Sequence, residues 1–498
     1  MNVNPITRLD YPDPDVIRVE DTYYMVSTTM HFMPGCEILQ SFELVHWEHV
    51  TYVYETLDHT DAQQLKSGQN IYGQGMWAAS LRYHEGRFYI CFVANDTRKT
   101  YLYTSEKIDG PWKKQLIEGF YHDGSLLFDE DGRNYIVYGN DEIWITELNE
   151  DLTAPKKDGL HRLLVSDHKN PELGYEGSHI QKINGYYYIF LVHSLRDRWM
   201  RTEACFYSDS LEGEFTGGDV LCDDRGYCGQ GVAQGGIVDT PDGKWYAMLF
   251  QDSGAVGRIP ILLPVTWKDH FPFFGQNGHV PEEIEVHSTR PGYIYQPLVG
   301  SDDFCNGLLP RWQFNHDPDP RYYHLDALQG TYTITTREVC TELTQAVNTL
   351  TQRMSYPSCA AEVTVDASAL KEGDVAGLCA LQGCYAAVGI TKHHGKYEVL
   401  MLDKKEDGIL DMTEGTVVES HQMDFRLEAD FCNMKDEARC YYRVNKGDWL
   451  PIGTVHKLYF KLDHFTGCRF GLFCYAAEET GGSACFRDFK YYDVDEIS

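Results

Sequence analysis

The stretch Gly174–Phe190, GYEGSHIQKINGYYYIF, reads as an acidic residue, an alternating strand, an Asn-Gly turn and a second strand of stacked tyrosines. Asn184 and Gly185 tolerate the positive φ angles that a two-residue hairpin turn requires, so the segment predicts a β-hairpin. One hairpin is marginal alone. The same phrase recurs along the chain: EDTYYMVS at Tyr24, EGRFYICF at Tyr89, DGRNYIVY at Tyr135, NGYYYIFL at Tyr188 and DGKWYAML at Tyr246. Intervals of 65, 46, 53 and 58 residues are those of propeller blades with loops of variable length. The phrase therefore predicts five blades around a central axis.

Counting back twelve residues from Tyr89, Tyr135, Tyr188 and Tyr246 reaches Trp77, Asp123, Glu176 and Gln234; eleven before Tyr24 stands Asp13. Innermost strands line a propeller's axis, so matched positions form a ring at one mouth of its channel. Any one polar residue there also reads as a hydrated loop end. Three carboxylates in five matched positions make the ring the expected active centre. Asp15 competes with Asp13, because residues i and i+2 share a strand face; the register favours Asp13. Asp10 reads as a loop residue.

Near Arg290 the phrase stops, and RPGYIYQPLVGSDDF reads as a linker. Beyond Phe304, nine segments predict short strands without the blade interval: YTITT, AAEVTVDA, AGLCALQ, AAVGITK, KYEVLML, RLEADF, CYYRVN, KLYFKLDHF and GLFCYA. Such a series predicts a β-sandwich. The chain is thus expected to be all-β, with a propeller over residues 1–295 and a sandwich over 300–498.

A formal net charge of -32 argues against nucleic acid as a partner, since phosphates call for clusters of Lys and Arg. A neutral sugar suits such a surface. The first ten residues lack the basic start and apolar core of a secretory leader, and no apolar run has membrane-spanning length. The fifteen cysteines show neither C-x-x-C pairs nor zinc spacing, so reduced thiols in a cytoplasm are expected.

Four segments carry a family resemblance. NPITRLDYPDPDVIRVEDTYYMVSTT, GMWAASLRY, HDGSLLFDEDGRNYIVYG and YEGSHIQKINGYYYIF resemble, in order and at the matching blades, motifs of glycoside hydrolase family 43. DDFCNGLLPRWQFNHDPD resembles the jelly-roll, concanavalin-like sandwich appended to the family's two-domain β-xylosidases, with Trp312 and Asn315 given structural roles. The resemblance implies hydrolysis with inversion, Asp13 as general base, Glu176 as general acid and Asp123 as the residue that holds and tunes the acid. It also implies that Arg258 binds a sugar hydroxyl. The implied substrate is the end of a short β-1,4-xylo-oligosaccharide, with α-L-arabinofuranosidase activity as the nearest alternative. A non-catalytic sugar-binding propeller would be expected to lack one of the carboxylates. Two departures stand out: Ala79 replaces a proline, and Gln234 replaces a histidine that commonly supports a central ion. No cofactor is required, and Gln234 argues against a structural calcium.

Inverting hydrolysis needs two carboxyl groups roughly 6.5–9.5 Å apart, which strands across a propeller mouth supply and adjacent ones do not. A third carboxylate beside Glu176 is expected to raise its pKa. Trp77 and Phe32 read either as apolar walls for the sugar or as packed core residues. His31, His179 and His193 have no metal spacing and read as polar lining or satisfied core residues.

Overall fold

The computed structural model describes residues 2–413 and 415–493; residues 494–498, at the end of the expected second domain, lie outside the described residues. Five four-stranded antiparallel sheets follow one another over residues 15–54, 76–117, 125–166, 176–221 and 232–274, each with its strands in chain order. The first strand of each sheet neighbours the first strands of the two adjacent sheets, which closes a five-bladed ring. Asn184 and Gly185 take φ 49° and 84°, the geometry their residue types predict for the fourth blade's turn.

Each pair of neighbouring blades shares an apolar cluster. Leu127, Val137 and Ile145 of the third blade meet Ile180, Ile189 and Leu191 of the fourth, for example, while Met25 and Leu39 of the first meet Met248 and Leu262 of the fifth. Full burial of each such side chain contributes about 1.5–3 kcal/mol, so packing between sheets holds the ring. The N-terminal stretch closes it. Asn4 donates to the carbonyls of Leu262 and Pro281 and accepts from Leu262 N, while Arg18 meets Asp239 at 2.5 Å across the first and last inner strands.

The axis is plugged. Asp15, fully buried, accepts from Arg82 Nη1 at 2.8 Å and Leu81 N at 2.7 Å, and lies 3.1 Å from His179 Nδ1. Arg82 also donates to Leu126 O, Ser125 Oγ and Ile180 O, so one guanidinium ties four inner strands together. Burial works to raise the Asp15 carboxyl, but the charges of Arg82 and His179 outweigh it and leave it at about 2. Below the plug lies a cavity of about 410 Å³ whose cations are already paired: Arg18 with Asp239, Arg82 with Asp15 and Lys182 with Asp129.

The second unit is a sandwich of an eight-stranded and a seven-stranded sheet around Phe314, Val363, Leu378, Phe425 and Phe486. Ala255, Val256 and Ile259 of the propeller join the same core, so the two units share an apolar interface. Eight of the nine expected segments are strands. KLYFKLDHF is not: the strand ends at Lys457 and residues 458–465 form a loop, because its aromatic residues face the propeller instead of the sandwich core. Two long strands are not legible in the sequence. Leu450–Lys457 carries Pro451 as its second residue at a sheet edge, and Ser483–Asp493 carries Arg487, Asp488 and Lys490 among its outward positions.

Candidate active site

Above the plug, Asp13, Trp77, Asp123, Glu176 and Gln234 line one cavity of about 600 Å³. The backbone turns them toward the axis. Asp13, Asp123 and Gln234 hold φ of 53°, 48° and 63°, a left-handed geometry that costs on the order of 1–3 kcal/mol per non-glycine residue. The inner strands of blades two, four and five open with register shifts at Trp77/Ser80, Glu176/His179 and Ala233/Gly236, and bulges of this kind re-aim side chains. Gly177, at φ 66°, packs so closely that a Cβ there would lie 2.7 Å from Gln234 Cγ. Only glycine lets the fourth and fifth blades meet at that point.

The carboxylates differ in their surroundings. Asp13 Oδ1 accepts from Arg258 Nη1 at 2.8 Å and its Oδ2 from Thr28 Oγ1 at 2.5 Å. Asp123 Oδ2 accepts from Gly177 N at 2.8 Å, and Glu176 Oε2 from Asn140 Nδ2 at 2.7 Å. His122 stands between the last two, its Nε2 3.6 Å from Asp123 Oδ2 and 3.5 Å from Glu176 Oε2. The Asp123 charge lifts the His122 imidazole to about 9 against the effect of burial, with Glu176 and Asp13 adding to it. Burial pushes the Asp123 carboxyl up to about 6; His122 opposes the shift while Glu176 and Asp13 reinforce it. Burial also works to raise Glu176, but His122, Arg201 and Arg258 bring it below its ordinary value. The expectation that Asp123 raises Glu176 therefore needs correcting, because it omits His122. The clue is present in the sequence, immediately before Asp123.

Arg258 and Gln234 also line the cavity. Arg258 lies 4.4 Å from the Phe465 ring and 5.2 Å from Phe250, and its Nε and Nη2 are buried without a protein partner. Phe465, with Phe460, Lys461 and Leu462, reaches the site from the sandwich loop and sits 5.4 Å from Trp77. Phe32 does not line the cavity. It is buried under Arg469 Cζ at 3.4 Å, because backbone bridges from Met30 to Met76 and from Met33 to Phe314 turn its segment into the interface between the units. Phe465 stands at the cavity in its stead. Asp15 belongs to the axial plug. Asp10 lies in a loop, as expected, but a buried one: it accepts from Arg258 N at 2.7 Å and Gly467 N at 2.8 Å, joining the two units. His179 meets Asp15, His193 meets Asp167 and Asp219, and His31 meets Asn315 in the interface. Trp312 donates to Asp302, and Asn315 bridges to Tyr72.

Among the described residues, His122, Asp123 and Glu176 bring potential ligand atoms within 4.8 Å of one another. One imidazole and two carboxylates that already accept hydrogen bonds do not match the six to eight oxygens that calcium takes. Positive charge on His122 also competes with a cation there.

A blind cavity at a propeller mouth, lined by carboxylates from four blades, defines a glycoside hydrolase type of site. Residues 3–272 match the glycosyl hydrolases family 43, and residues 301–492 match the β-xylosidase C-terminal concanavalin A-like domain. The chain belongs to glycosyl hydrolase family 43. It is 26% identical to a β-xylosidase of Formosa agariphila over 99% of this chain and 89% of that protein. It is 23% identical to a xylosidase/arabinosidase of Butyrivibrio fibrisolvens over 99% of each chain. A solved structure described as a bifunctional GH43-CE protein of Bacteroides eggerthii superposes with a TM-score of 0.92 at 42% identity. That match covers 100% of this chain and 64% of the other, so the chain spans about two thirds of the bifunctional protein.

Proposed function

We propose that the protein is an inverting, exo-acting β-xylosidase that releases xylose from the ends of short β-1,4-xylo-oligosaccharides. One observation carries this reading. Asp13, tied to Arg258 on the first blade's side, shares a blind cavity with the His122–Asp123–Glu176 cluster of the third and fourth blades. A plugged axis admits a chain end and excludes a chain running through. Each Asp13 oxygen carries one hydrogen bond and keeps a further lone pair. Asp13 then orients a water and takes its proton as the water oxygen attacks the anomeric carbon. Glu176 gives its proton to the glycosidic oxygen as that bond breaks, and the sugar leaves with its anomeric configuration inverted. The His122–Asp123–Glu176 cluster holds the proton that the leaving oxygen needs.

Relatives named β-xylosidase and xylosidase/arabinosidase support the substrate class, and the second name keeps α-L-arabinofuranosidase activity as the companion reading. A reducing, cytoplasmic setting is part of this proposal, supported by fifteen unpaired cysteines. The deciding experiment compares hydrolysis of aryl β-xyloside with aryl α-arabinofuranoside and follows the first product by proton NMR. Faster cleavage of the xyloside, yielding the α anomer, is expected. Retention, or inertness toward both, would overturn the reading.

A further inference from the structure

The cavity contains two arginines with buried nitrogens that have no protein partner, and they stand beside different catalytic carboxylates. Arg258 is bonded to Asp13 and lines the cavity, and its Nε and Nη2 are buried without a protein partner. Arg201 belongs to the fourth blade, the blade of Glu176. Glu176 pairs with Val192, Val192 with Glu203, and Ser194 with Arg201, which places Arg201 two residues before the position in register with the acid. Its Nε donates to Asp252 Oδ2 at 2.8 Å, while Nη1 is buried and has no partner. A buried N–H without an acceptor is costly unless a ligand supplies one.

Trp199, two residues earlier, is 43% exposed at the same cavity, with Arg201 Cζ 5.2 Å from its ring. Leu462 of the sandwich loop is 70% exposed and also lines the cavity. A flat, exposed indole beside a buried donor matches a sugar ring, which offers an apolar C–H face and hydroxyl acceptors. The leaving group must lie on the side of the acid that protonates it, and these residues share the acid's blade.

We propose that Trp199 and Arg201 form the subsite for the leaving sugar, so that the second pyranose of the chain stacks on Trp199 and is hydrogen-bonded by Arg201. The inference rests on the glycosidase reading of the cavity. It makes Trp199 and Arg201 selective for oligosaccharides over substrates whose leaving group has no ring.

The test measures kcat/KM of wild type, Trp199→Ala and Arg201→Lys on xylobiose and on β-xylosyl fluoride, whose leaving group is a single atom. Both variants should lose at least tenfold more on xylobiose than on the fluoride. Trp199 is exposed, so its variant retains the fold; Arg201→Lys keeps the charge beside Asp252. Binding gives a second readout: in a Glu176→Gln background, adding Trp199→Ala should abolish the preference for xylobiose over xylose. Equal losses on both substrates, or wild-type turnover of the fluoride with none of xylobiose, would overturn the subsite. Wild type inert toward both substrates would instead remove the glycosidase reading, and this inference with it.

Discussion

His122 Nε2 lies 3.5 Å from Glu176 Oε2, and the contact makes the proposed acid more acidic than a carboxyl in its ordinary setting. Activity on the alkaline side requires a proton on Glu176. Replacing His122 by Asn removes the positive neighbour, so Glu176 keeps its proton to higher pH and the basic limb of kcat/KM moves up. Replacing Asp123 by Asn removes a negative neighbour and moves that limb down. Opposite displacements in the two profiles are the expected result; displacement in one direction for both contradicts the charge assignment.

The acid and the base separate by leaving group. Glu176→Gln should slow xylobiose hydrolysis by about 10²–10⁴-fold, because a departing sugar alkoxide needs a proton. An aryl xyloside with an acidic phenol leaves unassisted and should lose far less. Asp13→Asn should damage both substrates equally, since the water requires activation whatever leaves. Steady-state kinetics on the two substrates decide it, and equal losses for Glu176→Gln would reject Glu176 as the acid.

The ring is legible in the sequence because a repeated turn fixes register, and register places Asp13, Trp77, Asp123, Glu176 and Gln234 together without any tertiary information. His122 is legible in principle but lies one residue outside the matched position. Arg201 sits on the third strand of its blade and Asp252 on the second of its own, where residue spacing carries no axial signal. Phe32 escapes a reading by pattern, because an aromatic near the first blade's mouth looks the same whether it faces the cavity or the interface between units. The KLYFKLDHF loop resembles a strand for a related reason: Leu458 packs into the sandwich core while Phe460 and Phe465 line the propeller's cavity, and a run of apolar residues does not name its partners.

Phe465 is where the sandwich enters the site. Its ring packs on Arg258 at 4.4 Å and Trp77 at 5.4 Å, and each of these interactions is worth about 0.5–1.5 kcal/mol. Phe465→Ala should therefore lower kcat/KM by at least roughly two- to tenfold, while thermal unfolding changes little. Kinetics beside a melting curve separate the two effects; unchanged kinetics would confine the sandwich to a structural role.

Glu203 gives a stability prediction with a definite sign. Its side chain is fully buried; Oε2 accepts from Gln234 N at 2.7 Å and Oε1 has no partner. Burial drives its carboxyl well above the ordinary value, with the Gln234 bond the opposing influence, so the folded protein keeps a proton there to higher pH than the unfolded chain does. The unfolded chain releases that proton above about pH 4.5. Folding then takes up a proton, and stability falls as pH rises, by at most about 1.4 kcal/mol per pH unit until the folded pKa is reached. Glutamine copies the shape of the neutral acid and keeps an acceptor for Gln234 N, yet has no proton to lose. Glu203→Gln should match wild type near pH 4.5 and exceed its stability at pH 8, with activity retained because the Gln234 backbone stays in place. Urea unfolding at the two pH values checks this. A variant no more stable than wild type at pH 8 would mean that Glu203 does not hold its proton in the folded state.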